Sequence, residues 1–142
     1  MPDVNVLVYA HRTGDRQHSA YERWLVDLVD GPEPFALSVL VAVAFVRVVT
    51  NGRIYSNPSP MPVALGFVEE LITHQNCRIA VPGPDHFSEV ARLCRLADAS
   101  GSAVSDAQHA AVAIANGSTW VTADRDFARF APHGLRWQHL AR

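Results

Sequence analysis

Four aspartates in three separate segments of this 142-residue chain are the residues best suited to chemistry. Asp3 precedes an apolar run, Asp106 lies near the start of an alanine-rich stretch, and Asp124 and Asp126 follow the apolar segment 120–122. Carboxylates brought close together raise one another's pKa unless a cation neutralises them. Oxygen ligands without Cys or His favour Mg²⁺ or Mn²⁺. The four aspartates therefore predict a divalent-metal site if the fold brings them together.

Each of these aspartates also has an ordinary structural interpretation. Asp106, placed in the first turn of a helix, can interact with the helix dipole. Asp124 and Asp126 can form a solvated turn or an N-cap, and Asp3 can be a surface residue. His109, one helical turn after Asp106, can reach the same place but is interpreted as a partly buried or surface imidazole. The joint placement of the acids favours the metal-site interpretation.

The composition excludes several other chemistries. All twelve basic residues are arginine, so mechanisms that need a lysine, including P-loop phosphate binding and Schiff-base formation, are excluded. The net charge of -2 provides no global basic field, and a nucleic acid would have to be held by local arginines or through metal ions. Cys77 and Cys94 lack ligand spacing and are interpreted as small buried residues, with a disulfide or metal site as the alternatives. We expect a soluble, cytoplasmic protein without a membrane segment.

Strands that alternate with helices of ten or more residues predict an α/β fold, in which helices cover both faces of a parallel sheet. Ligands bind beyond the carboxyl ends of the strands in such sheets, and the last two aspartates lie there. The predicted helices span 17–29, 39–50, 63–74, 85–99 and 103–116, with a short helical turn at 126–130. The predicted strands span 35–37, 78–81, 119–122 and 135–137.

Four motifs, in order along nearly the whole chain, resemble those of PIN-domain ribonucleases of the VapC toxin type, particularly the actinobacterial members. The motifs are DVNVLVY at 3–9, AFVRVVTN at 44–51, VSDAQHAA at 104–111 and VTADRDF at 121–127. The resemblance implies one PIN domain over 1–142, a three-layer αβα sandwich with a central parallel sheet, and hydrolysis of RNA phosphodiester bonds. It also implies a homodimer and a VapB-type antitoxin whose arginine-bearing tail occupies the acidic groove.

The resemblance assigns roles to individual residues. The matched acids are Asp3 and Asp106 as ligands of Mg²⁺ or Mn²⁺, Asp124 as the third acidic position, and Asp126 as a further acid beside it. The matched supporting residues are Asn5 and Thr122. Arg47 matches an arginine that is common in this branch of the family. The candidates for holding the RNA backbone are Arg47, Arg53, Arg12 and Arg125, each of which is equally well explained as a surface arginine.

Two features depart from the family pattern. Ala44 lies where PIN domains usually carry a glutamate, so a second metal ion lacks one of its usual ligands. Only two residues precede Asp3, which in the family ends the first strand, so this strand is either cut short or begins before Met1. The alternation of Val4, Val6 and Val8 favours a strand in this region, whereas the resemblance implies that residues 4–10 are mostly helical.

Three functions follow from these observations. In the leading hypothesis, Asp3 and Asp106 hold a metal ion at the scissile phosphate, and the products carry 5′-phosphate and 3′-hydroxyl ends. Asp124, with or without Asp126, holds or orients the attacking water and could complete a second metal site once RNA phosphate contributes ligands. The alternative, suggested by Ala44, is a degenerate PIN module that binds antitoxin or RNA without cleaving it. A third possibility is an aspartyl-phosphate phosphatase, because Asp3 and Asn5 loosely match an Asp-x-Asp motif. The missing lysine argues against this third function.

Overall fold

The computed structural model describes residues 1–140, and its strands alternate with helices as predicted. The helices are α1 (Val4–His11), α2 (His18–Asp30), α3 (Val39–Val49), α4 (Met61–Thr73), α5 (His86–Leu96) and α6 (Ser102–Ala115). The strands are β1 (Phe35–Ser38), β2 (Cys77–Ala80), β3 (Trp120–Thr122) and β4 (Trp137–His139), and a 3₁₀ helix spans Arg125–His133. The last strand begins two residues later than the sequence predicts.

All strand pairing is parallel within the described residues. β1 pairs with β2, and β3 pairs with β4. Pro2 forms a further parallel bridge to Val121, where the Val121 N–H donates to the Met1 carbonyl at 2.9 Å and the Asp3 N–H donates to the Val121 carbonyl at 2.8 Å. Residues 1–3 therefore run beside β3 as a very short strand that ends at Asp3.

The segment after Asp3 is a helix. The prediction of a helix, which rested on the family resemblance, is therefore confirmed, and the strand that the alternating valines favoured is wrong. The Asp3 side chain caps this helix by accepting a hydrogen bond from the Val4 N–H at 2.6 Å. Val6, Leu7 and Val8 are consecutive and all buried, which requires packing on more than one face. Tertiary packing of this kind overrides the weak local strand preference of valine.

Small residues bring helix α6 close to the rest of the core. Its side chains Ala107, Ala110, Ala111 and Ala113 are buried, and Trp120 of β3 is fully buried. Because alanine leaves little bulk between neighbouring elements, the backbone of α6 lies near β1. This packing also places the His109 ring of α6 against Trp120, with ring centroids 5.4 Å apart.

Several smaller predictions have mixed outcomes. Ser38 caps α3, as predicted, by accepting a hydrogen bond from the Leu40 N–H at 3.2 Å. Asp85 occupies the N-cap position of α5, but its side chain makes no capping hydrogen bond. Cys77 and Cys94 are free and half-buried, so the disulfide alternative is wrong. Within residues 1–140, every helix is too short or too polar to cross a bilayer.

Candidate active site

Asp3 is a buried carboxylate whose two oxygens are both held in place. Its Oδ1 accepts the hydrogen bond from the Val4 N–H, and its Oδ2 accepts a hydrogen bond of 2.5 Å from the Thr122 hydroxyl. Only 6% of the residue is exposed. The end of the short first strand and the end of β3 therefore fix the position of this carboxylate from two directions.

Thr122 and Asn5 connect the helix α1 region to the segment after β3. The fully buried Thr122 hydroxyl accepts a hydrogen bond from the Asp124 N–H at 3.0 Å while it donates to Asp3. The Asn5 side-chain oxygen accepts a hydrogen bond from the Ala123 N–H at 3.2 Å. These contacts orient residues 122–124 so that Asp124 follows the strand on the same side as Asp3.

Asp106 lies in the second turn of α6, so its predicted place in the first turn is wrong. The helix begins at Ser102, after Gly101 with its positive φ of 60°, and its first turn contains no acidic residue. The helix dipole acts mainly within the first turn. A dipole partnership therefore explains Asp106 less well than its position beside the other acids.

Three of the four predicted acids line one pocket of about 410 Å³, here called the acidic pocket. These are Asp3, Asp106 and Asp124. Asp126 is exposed and does not line the pocket, and its N–H donates to Asp124 Oδ1 at 2.9 Å. Among the other predicted site residues, Asn5 and Arg47 line this pocket and Thr122 lies buried beneath it, whereas Arg12 and Arg125 line other pockets and Arg53 is exposed.

The pocket concentrates negative charge in a partly buried place. Burial raises the pKa of Asp3 to about 6, with a contribution from the Asp106 and Asp124 carboxylates, while the hydrogen bonds to its oxygens oppose the rise. Burial also raises the pKa of Asp106, with contributions from Asp124 and Asp126, while Arg129 opposes it. A cation in the pocket would relieve this repulsion.

The donor set fits a hydrated Mg²⁺ or Mn²⁺ better than a metal enclosed by protein ligands. Within residues 1–140, no three side chains of Asp, Glu, His or Cys are close enough to bind one ion together. Mg²⁺ usually takes only one or two carboxylates and completes its shell with waters and substrate phosphates. Ala44 lines the pocket at the position where the family pattern predicts a glutamate. The available donors are therefore aspartate oxygens with room for water.

His109 also lines this pocket, and its half-buried side chain agrees with the prediction of a partly buried imidazole that can reach the acids. Its ring stacks on Trp120, with centroids 5.4 Å apart and planes 18° apart. Its buried Nδ1 has no hydrogen-bond partner among the described residues, and burial lowers its pKa. The signal in the sequence was its spacing of three residues from Asp106, which places both side chains on one helix face.

Comparisons with known proteins agree on one family. The family model for the PIN domain matches residues 1–132. The chain is 41% identical to Ribonuclease VapC43 of Mycobacterium tuberculosis over 137 residues, which cover 96% of this chain and 92% of that protein. It is 40% identical to Ribonuclease VapC31 of the same organism over 129 residues, which cover 91% of each chain.

Solved structures share the fold at low sequence identity. The structure of VapBC2 from Rickettsia felis bound to a promoter DNA fragment contains a chain that matches with a TM-score of 0.69 and 18% identity, covering 98% of this chain and 96% of that one. VapC20 of Mycobacterium tuberculosis, a toxin that cleaves the sarcin-ricin loop, matches with a TM-score of 0.64 and 18% identity over 89% and 91% of the two chains. These matches confirm the predicted fold class.

Proposed function

The chain belongs to the PIN-domain family and, within it, to the VapC ribonucleases, and on this premise we propose that it is a toxin endoribonuclease that uses Mg²⁺ or Mn²⁺. The observation that carries the proposal is the convergence of Asp3, Asp106 and Asp124 in one pocket. These residues come from three segments that match the family's acidic motifs. Burial, with a smaller contribution from the Asp106 and Asp124 carboxylates, raises the pKa of Asp3, and a bound cation would favour its ionised form.

The aspartates would divide the work among them. Asp3 and Asp106 would hold the metal ion, and Asp124 would accept a hydrogen bond from the attacking water. When bound, the ion would lower the pKa of water and offset the charge of the scissile phosphate. Arg47, an exposed residue that lines the pocket, would contact the RNA backbone. In-line attack would leave a 5′-phosphate and a 3′-hydroxyl.

The partners proposed for this protein follow from the same family membership. We propose that the whole of residues 1–142 is one PIN domain, that it forms a homodimer, and that a VapB-type antitoxin neutralises it. The negatively charged pocket supports an antitoxin segment that carries arginine, because a guanidinium pairs well with carboxylates. The solved VapBC2 complex of Rickettsia felis provides the precedent for pairing with an antitoxin.

The test is a cleavage assay on total RNA with mapped ends, run with Mg²⁺, with Mn²⁺ and with a chelator. We expect cleavage that stops on chelation, products with 5′-phosphate ends, and no cleavage by Asp106→Asn. The exposed Asp27→Asn makes the same chemical change on helix α2 and is expected to cleave like the wild type. Cleavage that survives chelation, or an active Asp106→Asn variant, would contradict the proposed mechanism.

Ala44 supports a second candidate function, a PIN module that binds RNA or antitoxin without cutting. The pocket lacks the acid that the family usually places there, so fewer oxygen donors are available to a metal ion. Wild-type protein that binds RNA but leaves it intact at every metal concentration would favour this candidate. Cleavage at millimolar Mg²⁺ would exclude it.

A further inference from the structure

A second pocket, here called the loop pocket, lies where the end of α1 meets the connection between α3 and α4. It has a volume of about 400 Å³ and is lined by residues 11–14 and 57–60. No aspartate or glutamate lines it, and Arg12 and His11 are its ionisable side chains. Its charge is therefore opposite to that of the acidic pocket.

The Arg12 side chain is fixed in place before any ligand binds. Its guanidinium carbon lies 3.6 Å from the centroid of the Tyr55 ring, and its Nη2 donates to the Asn57 carbonyl at 3.1 Å. A hydrogen bond of 2.9 Å between His11 Nε2 and the Ser59 hydroxyl joins the two walls of the pocket. A guanidinium has five N–H donors, so most of them remain available to a ligand.

The stacked pair of Arg12 and Tyr55 lies between the two pockets. Tyr55 lines the acidic pocket and not the loop pocket, whereas Arg12 lines the loop pocket and not the acidic one. An extended ligand that leaves the acidic pocket past Tyr55 would meet Arg12 next. The two pockets are therefore neighbours, and the contact between Arg12 and Tyr55 lies between them.

We propose that the loop pocket is a nucleotide subsite, in which Arg12 pairs with a phosphate of single-stranded RNA that flanks the bond held in the acidic pocket. This inference rests on the proposed ribonuclease function. A phosphate is repelled by the three aspartates but is attracted by the Arg12 guanidinium, which lies in a pocket that no carboxylate lines. The stacking of Arg12 on Tyr55 holds the guanidinium in place, so less side-chain entropy is lost on binding.

Two variants test the subsite by different means. Arg12→Ala removes the cation. Gly14→Leu keeps Arg12 and adds bulk to the pocket lining, and a Cβ added at Gly14 meets no atom within 4 Å, so the fold tolerates the new side chain. Arg16→Ala is the matched control, since Arg16 is an exposed arginine in the same connection that lines neither pocket.

The measurement is fluorescence anisotropy with fluorescein-labelled oligouridylates of four, six and eight nucleotides. The buffer contains Ca²⁺ as the cation of the acidic pocket, and each RNA is checked to be intact after the titration. Wild-type affinity is expected to rise with length. Arg12→Ala and Gly14→Leu are expected to lose at least about fivefold in affinity for the longest RNA and little for the shortest. Arg12→Ala should also reduce the slope of log affinity against log salt by about 0.7, the value for one phosphate contact on a single strand. Arg16→Ala should remain within about twofold of the wild type at every length.

The subsite proposal would be overturned if all variants bound RNA with equal affinity, or if Arg12→Ala and Arg16→Ala lost equal affinity. It would also be overturned if the wild type bound none of the three RNAs. The outcomes separate this inference from the proposed function. The expected binding pattern without any cleavage in Mg²⁺ would support the subsite and contradict the ribonuclease proposal. Asp106-dependent cleavage with unchanged RNA binding by Arg12→Ala and Gly14→Leu would support the ribonuclease proposal and contradict the subsite.

Discussion

Without metal, the free energy of unfolding of the Asp3→Asn variant is expected to rise relative to that of the wild type as the pH increases. Folding moves the pKa of Asp3 from 3.8 to about 6, mainly because the carboxylate is buried. Between these two values the folded state binds more protons than the unfolded state, so the free energy of unfolding of the wild type falls as the pH increases. Asparagine does not titrate and is free of this loss.

The size of the effect follows from the pKa change. At about 1.36 kcal/mol for each pKa unit, the ionised Asp3 costs the fold about 3 kcal/mol well above pH 6. Asparagine offers one acceptor oxygen in place of two, so it loses one of the hydrogen bonds from Val4 and Thr122, at a cost of about 1–3 kcal/mol at any pH. The difference between variant and wild type should therefore shift by roughly 2–3 kcal/mol in favour of asparagine from pH 4 to pH 7.5.

Urea unfolding in chelator at pH 4 and pH 7.5 measures this shift directly. Asp27→Asn is the control, because this exposed carboxylate remains in water in both states and should show a much smaller shift. A parallel pH dependence for Asp3→Asn and the wild type would refute the reasoning that burial and neighbouring carboxylates destabilise the ionised Asp3. Added Mn²⁺ should stabilise the wild type more than the variant, since the ion would bind the folded carboxylate.

Three further predictions concern other residues of the site and its support. Ala44→Glu should raise the affinity for Mn²⁺ at least about tenfold, because it adds an oxygen donor to the pocket lining. Calorimetric titration measures this affinity, and an unchanged value would contradict the prediction. Thr122→Val should lower the free energy of unfolding at pH 7 by roughly 1–3 kcal/mol, because the Asp124 N–H and a carboxylate oxygen lose a buried partner, and a loss too small to measure by urea unfolding would contradict that account. Ser38→Ala should cost about 1 kcal/mol through the lost cap of α3, whereas Ser38→Gly, which needs no extra space at this fully buried position, should cost only about a few tenths of a kcal/mol in the same assay.

The sequence predicted most of what depends on local pattern or on the order of elements. Apolar periodicity placed the helices and strands to within a few residues, and the rule for the ends of parallel strands brought Asp124 toward Asp3. The motif order indicated the fold that the solved structures share. Local valine alternation failed after Asp3, because the packing of α1 on several sides decides its conformation and no short window of sequence contains that information.

Features that depend on contacts between residues far apart in the chain could not be predicted from the sequence. Asp126 and Asp124 look equivalent in sequence, yet the turn at the start of the 3₁₀ helix leaves one exposed and turns the other toward the pocket. The stacking of His109 on Trp120 and of Arg12 on Tyr55 joins residues that no spacing rule connects. Their geometry follows from tertiary packing.

The bond between the Thr122 hydroxyl and Asp3 spans 119 positions of the chain, and this separation has a consequence for biosynthesis. At about 5–20 residues per second, roughly 6–24 s pass between the synthesis of these two residues. During that time the amino-terminal carboxylate has no β3 to dock against, and Asp124 does not yet exist. The acidic pocket therefore cannot assemble before β3 and Asp124 have been synthesised, and a growing copy that ends before them cannot act on nearby RNA.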